Sequence, residues 1–231
     1  MTLHTDTHKT FLVSILKDIY RDNTVGPILG FKGGTAAFLF YELGRFSVDL
    51  DFDLLDPEKE KFVFERMERI LAPHGTIKTK RQKFYTIFFE LSYGNDDHNI
   101  KVEINRRYLG SKYEVRNYLG IAMKVMAQDD MFANKLVAMV ERLGRTNRDI
   151  YDVWFFLQKH WPINRTLVEK RTGTPFKEFL ALGINKLDRL PDRSILAGMG
   201  ELLDSKQKAW ARARLKADAL FLLKVMLSNE K

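Results

Sequence analysis

Three aspartates occupy alternate positions in "SVDLDFDLL", residues 47 to 55, with Leu50, Phe52 and Leu54 interleaved. A period of two marks a strand, on which residues i and i+2 share a face. Asp49 and Asp51 would then present two carboxylates side by side, while Leu50 and Phe52 face a core. Like charges so close cost free energy unless a cation or a proton sits between them. Mg²⁺ suits such a pair, taking a few carboxylate oxygens and completing its shell with phosphate and water. Glu103 in "KVEIN" alternates with Val102 and Ile104 in the same way. On a neighbouring strand it would supply a third carboxylate. Such a set can hold two metal ions, one activating an attacking oxygen and one stabilising the leaving oxygen. The acids could instead blunt a strand edge. A calcium loop is excluded: Asp49, Asp51, Asp53 and Glu60 match its first, third, fifth and twelfth positions, but Leu54 stands where Gly is required.

The glycine pair upstream favours the metal reading. "PILGFKGG" reads as a short strand that ends in Gly33 and Gly34. "TAAFLFYELG" follows as a helix capped by Gly44. A strand-to-helix turn of this kind offers free N–H groups to phosphate, with no side chain in the way. Glycine turn, helix, then a strand with paired aspartates is far more specific than any one part.

Those elements sit in a longer alternation. Residues 8 to 21 form an amphipathic helix, with Phe11, Leu12, Ile15, Leu16 and Ile19 at helical spacing. Pro57 opens a helix running to about Leu71. "KTKRQKFYTIFFELSYG" and "NIKVEINRR" read as two strands joined by the turn "GNDDH", in which His98 is a solvated residue. Beyond residue 126 the character changes. "DDMFANKLVAMVERLG" and "NRDIYDVWFFLQKH" are helical, the second opened by Asn147, and three or four helices follow. The expected organisation is α+β: an α/β core over 1–126 with a mixed sheet flanked by helices, and a helical domain over 127–231. The C-terminal amphipathic helix, "SKQKAWARARLKADALFLLKVML", is expected to pack its apolar face internally.

The 231 residues are 45% apolar, enough for a real core, and carry a net charge of +8. That balance favours an anionic partner such as nucleotide phosphates or nucleic acid. Without cysteine there are no disulfides and no thiolate metal sites. The chain has no apolar run long enough for a transmembrane helix and no secretory signal, so a cytoplasmic protein is expected. The histidines show no zinc spacing.

Two stretches carry a family resemblance. "FKGGTAAFLFYELGRFSVDLDF" resembles the first motif of the AbiEii/AbiGii-type nucleotidyltransferase toxins, a branch of the DNA polymerase β-like nucleotidyltransferases. The matching residues are Lys32, Gly33, Gly34, Thr35, Ala36, Arg45, Phe46, Ser47, Asp49 and Asp51. "DDMFANKLVAMVERLGRTNRDIYDVWFFL" is similar to a second stretch, through Asp130, Lys135, Arg142, Arg148, Asp149, Tyr151 and Asp152. The resemblance implies a nucleotidyltransferase that moves an NMP from an NTP to an acceptor hydroxyl. It implies Mg²⁺, with Mn²⁺ as the alternative, on Asp49, Asp51 and Glu103. Nucleotide contacts would come from Lys32, Gly33, Gly34, Thr35, Arg45, Ser47 and Lys135. Lys135 would reach the triphosphate or the carboxylates, and Asp149 or Asp152 would complete the site. Asp53 lies outside the motif and is expected to matter least. The resemblance further implies a toxin whose partners are an RNA acceptor, such as the tRNA 3′ end, and an antitoxin. Lys80, Arg81, Lys83, Arg106 and Arg107 are the candidates to guide that RNA. The alternatives are a protein or small-molecule acceptor, or a nucleotide-binding module without turnover.

Overall fold

The computed structural model describes residues 3–94, 98–107 and 109–230. They form two compact units, Met1–Met126 and Ala127–Lys231.

In the first unit, α1 (Thr5–Arg21) buries Leu12, Ile15, Leu16 and Ile19, the stripe its sequence periodicity marks. Then come β1 (Leu29–Lys32) and α2 (Gly33–Phe40). The helix begins at Gly33 and stops at Phe40, short of Gly44, because Glu42 turns left-handed at φ +58°. β2 (Leu50–Leu54) and α3 (Glu60–Leu71) follow, a short 3₁₀ turn at Pro57–Lys59 leading into α3. Asp49 is thus the residue before β2 rather than its third member.

The segment read as one strand over 78–94 is a hairpin, β3 (Thr76–Gln82) and β4 (Thr86–Ser92). Its turn contains no glycine or asparagine, so the usual hairpin signal is missing. β5 is Ile100–Asn105; residues 95–97 of the expected "GNDDH" turn lie outside the described residues. A second unanticipated hairpin is β6 (Tyr113–Tyr118) and β7 (Ile121–Met126). Its two turn residues, Leu119 and Gly120, have φ of +50° and +79°, the left-handed pair that matches strand twist.

The seven strands form one mixed sheet in the order β3-β4-β5-β2-β1-β7-β6. β2 runs antiparallel to β1 and parallel to β5. One face is apolar: Phe31, Phe52, Ile104, Ile87 and Phe89 are fully buried. α1 and α3 supply contacts there, with Tyr20 beside Phe52 and Phe64 stacked on Phe89 at 5.3 Å. Removing each such side chain from water stabilises by about 1.5–3 kcal/mol.

In the second unit, α4 (Gln128–Arg142), α5 (Arg148–Gln158), α6 (Arg165–Thr172) and α7 (Phe176–Asp188) pack around Phe132, Leu136, Ile150, Phe156 and Leu180. α8 (Ser205–Trp210) and α9 (Lys216–Ser228) are joined by a π-helical turn over Ala211–Leu215. Ala211, Leu215, Ala219 and Leu223 are fully buried, so the apolar face of this last helix does pack internally.

Candidate active site

Strand register decides which acids become neighbours. Lys32, Asp51 and Glu103 are aligned across β1, β2 and β5, and so are Gly30, Asp53 and Asn105 one step along. The alternate residues point into the apolar core, so these two rows share the opposite face. Asp51 and Glu103 therefore stand on adjacent strands, about 4.8 Å apart along the hydrogen-bonding direction. Asp49 extends the set at the start of β2, where its Oδ1 accepts the Lys101 N–H at 3.3 Å.

The glycine pair meets the acids directly. Gly33 has φ +81°, and a Cβ built on it would lie 2.3 Å from Asp51 Oδ2. Any side chain there would displace the carboxylate as well as strain the backbone. The same residue opens α2, whose first N–H groups have no intrahelical carbonyl to bind. Behind the turn, a Cβ on Gly34 would fall 2.7 Å from Ser47 Oγ and 3.1 Å from Arg45 Nη2. Thr35 Oγ1 donates to the Asp49 carbonyl at 2.5 Å and lies 2.9 Å from Ser47 Oγ. A hydroxyl has one proton, so Ser47 is the donor in that second contact. Thr35, Arg45 and Ser47 are all buried. They clasp α2 to the segment that carries Asp49. His8, fully buried on α1, grips the same segment: its Nε2 lies 2.9 Å from the Val48 carbonyl and its Nδ1 2.7 Å from the Tyr93 hydroxyl. A carbonyl only accepts, so Nε2 carries the proton and Nδ1 accepts from Tyr93. Sequence patterning missed His8, because nothing local ties it to Val48.

Asp53 has a different job from its two neighbours. It is 4% exposed and ion-paired to Lys32 Nζ at 2.5 Å. Its Oδ1 also accepts from Asn105 Nδ2 at 2.9 Å, and its Oδ2 from the Tyr113 hydroxyl. Tyr113 reaches it by lying flat on Gly30, where a Cβ would come within 2.3 Å of the ring. Asn105 was legible as a same-face neighbour of Glu103; Tyr113, 60 positions from Asp53, was not. Lys32, expected at the nucleotide, is engaged in this network.

Among the described residues no group of three His, Asp or Glu side chains is placed to hold a metal ion together. Asp51 and Glu103, aligned on adjacent strands, and Asp49 just before β2 are half-exposed oxygen donors. This fits Mg²⁺, which commonly binds through one or two carboxylates and leaves its other positions to phosphate and water.

The second unit gathers its own polar cluster. Lys135 Nζ on α4 lies 2.8 Å from Asp149 Oδ1 and 2.7 Å from Asp152 Oδ2, both on α5. The two acids are three residues apart and so share a helix face. Both are fully buried, and Lys135 is 11% exposed. Two buried carboxylates against one ammonium leave a negative excess, which Arg142 approaches at 3.6 Å from Asp149 Oδ2.

Register also sorts the basic residues. Lys80 aligns with the core residue Phe89, and its ammonium pairs with Glu68 of α3. Arg106 pairs with Glu60 at 2.6 Å, at the start of the same helix. Arg81 instead aligns with Phe88, which aligns with Glu103, and so belongs to the carboxylate face. Lys83 Nζ lies 4.3 Å over the Phe88 ring, and Arg107 lies 4.4 Å over Tyr85.

A mixed seven-stranded sheet flanked by helices, with acids aligned on neighbouring strands beside a glycine turn that opens a helix, is a fold shared with nucleotidyltransferases. The chain belongs to the nucleotidyl transferase AbiEii toxin family of type IV toxin–antitoxin systems, whose model matches residues 14–217. Among solved structures, a Helicobacter pylori protein assigned to the nucleotidyltransferases is similar at 22% identity and a TM-score of 0.64, with 100% of both chains covered. JHP933 from Helicobacter pylori is similar at 22% identity and a TM-score of 0.63, covering 99% of this chain and 95% of its own. At that identity the likeness is one of fold. No curated protein matches the chain. Among the described residues no helix is long and apolar enough to cross a membrane.

Proposed function

We propose that the chain transfers a nucleoside monophosphate from an NTP to a hydroxyl of RNA, at an exposed 3′ end such as that of tRNA. The observation that carries this is the alignment of Asp51 with Glu103 beside the open turn at Gly33. Mg²⁺ or Mn²⁺ on Asp49, Asp51 and Glu103 would supply charge neutralisation for the triphosphate and the two-ion chemistry of in-line displacement. The protein's own groups do the rest. The N–H groups at Gly33 and Gly34 bind phosphate oxygens, and the glycine surface lets the triphosphate approach Asp51 closely. The acceptor oxygen attacks the α-phosphorus, the bond to the β-phosphate oxygen breaks, and pyrophosphate leaves. Glu103 receives the hydroxyl proton. The clasp of Thr35, Ser47, Arg45 and His8 holds Asp49 in position, so that little reorganisation is needed at the moment of reaction.

The net charge of +8 supports a polyanionic acceptor. Membership of a toxin–antitoxin family supports action as a toxin, neutralised by a cognate antitoxin. The test is incubation with each α-labelled NTP, Mg²⁺ and either purified RNA or nuclease-treated protein extract. Label in RNA is the expected result. Label in protein alone would reject the RNA acceptor and keep the transferase. No transfer with any NTP would leave a binding module.

A further inference from the structure

The tip of the β3–β4 hairpin breaks the rules of its own turn. The Lys83 N–H donates to the Thr86 carbonyl at 2.8 Å and the Thr86 N–H returns at 3.4 Å, closing a two-residue loop of Phe84 and Tyr85. Such loops favour Asn, Asp or Gly, and usually a left-handed residue. Here both are aromatic and neither has positive φ. Phe84 is 81% exposed and Tyr85 48%, so neither is there to fill a core. A departure from local preference with no packing reward marks a functional position.

The tip is also held still without using its aromatic rings. Arg106 donates its backbone N–H to the Tyr85 carbonyl at 2.8 Å and Nη1 to the Lys83 carbonyl at 2.6 Å. Its Nη2 is anchored on Glu60 at 2.6 Å. Phe84 and Tyr85 stand edge to face with centroids 4.5 Å apart, and Arg107 stacks on Tyr85. Arg81, Lys83 and Arg107 have no ion-pair partner among the described residues. Rigid exposed rings among unpaired cations form a stacking platform for unpaired bases, with charge left over for phosphates. The platform is close to the carboxylates: Arg107 is four residues beyond Glu103, about 13 Å along an extended chain.

We infer that Phe84 and Tyr85, flanked by Arg81, Lys83 and Arg107, stack bases of the single-stranded RNA acceptor next to its reacting end. The inference rests on RNA as the acceptor. Charge argues for RNA over a protein partner, because Arg81, Lys83 and Arg107 beside the rings have no ion-pair partner among the described residues.

The test uses the full chain and a short fluorescent single-stranded oligoribonucleotide, with the same strand annealed to its complement as control. Phe84→Ala and Tyr85→Ala should each weaken single-strand binding on the order of tenfold, as expected for loss of one stacked base. Phe84→Trp should retain binding and Phe84→Leu should not, since a π-face is required. The salt dependence should be unchanged in both alanine variants, because no phosphate contact is lost; Lys83→Ala should flatten it. Thermal unfolding should match wild type in each variant, as the rings are exposed. Wild-type affinity in both alanine variants would overturn the platform and leave RNA as acceptor, the rings then falling to a protein partner. Equal affinity of wild type for single strand and duplex would also overturn it. Failure of the wild-type chain to bind RNA at all would reject the acceptor assignment itself.

Discussion

Replacing Asp53 by Asn separates the architecture of the carboxylate face from its chemistry. The change keeps the shape and an Oδ1 that can accept from Lys32 and Asn105, but it removes the charge. The Tyr113 hydroxyl must turn from donor to acceptor to meet the new amide. Breaking a fully buried ion pair costs about 3–5 kcal/mol. The Lys32 side chain is 24% exposed and can turn to water, and the Asp53 side chain is 6% exposed. The cost should therefore fall lower, at about 2 kcal/mol, within the range for hydrogen bonds to a charged group. In a chain of this size 1 kcal/mol moves Tm by about 2–4 °C, so the first unfolding transition should drop by roughly 4–8 °C. The assay is thermal unfolding followed by circular dichroism, with Asp51→Asn as control. That control should be as stable as wild type or more so, because it relieves repulsion from Glu103 and Asp49. An Asp53→Asn protein that unfolds with wild type, or an Asp51→Asn protein destabilised as much, would refute the division of labour between the two acids.

Asp49→Asn and Asp51→Asn should each abolish nucleotide transfer in the labelled-NTP assay while the fold survives; transfer at the wild-type rate in either would remove the metal assignment. Lys135→Ala should lower transfer strongly and also destabilise, since it leaves Asp149 and Asp152 as two buried, adjacent carboxylates; comparing turnover with unfolding temperature measures the two effects separately. Acid should weaken the first unit through Asp22. Burial works to raise its carboxyl, but hydrogen bonds from the Thr24 side chain, Arg66 and the Thr24 and Val25 amides outweigh it and bring it down to about 2. A folded value below the unfolded one means stability present above about pH 4 and lost as pH falls towards 2. Asp22→Asn should flatten the unfolding-temperature profile across that window, and an unchanged profile would show that other carboxylates dominate.

The sequence alone was enough for whatever depends on short-range chemistry. The 3.6-residue stripe of α1, the period-two acids around Leu50 and Phe52, and the two glycines closing β1 follow from neighbours within a few positions. So does the change to helices after residue 126. The motif residues Lys32 to Asp51 were legible for the same reason. What the side chains touch was not legible, because a strand's partners and register are set by residues far along the chain. A shift of one residue would exchange the core and solvent faces. Register alone makes Glu103 the neighbour of Asp51 and gives Asn105 to Asp53. It also sends Lys80 to α3 while leaving Arg81 on the carboxylate face. Both unanticipated hairpins have the same root. The Phe84–Tyr85 turn carries no local signal, and β6 becomes visible only as the strand that lays Tyr113 over Gly30. Three aspartates of one period-two run thus become two candidate metal ligands and one buried anchor, a role for Asp53 that the motif, which leaves it out, did not supply. The difference lies in the charges that the sheet brings to each of them, Lys32 for Asp53 and Glu103 for Asp51.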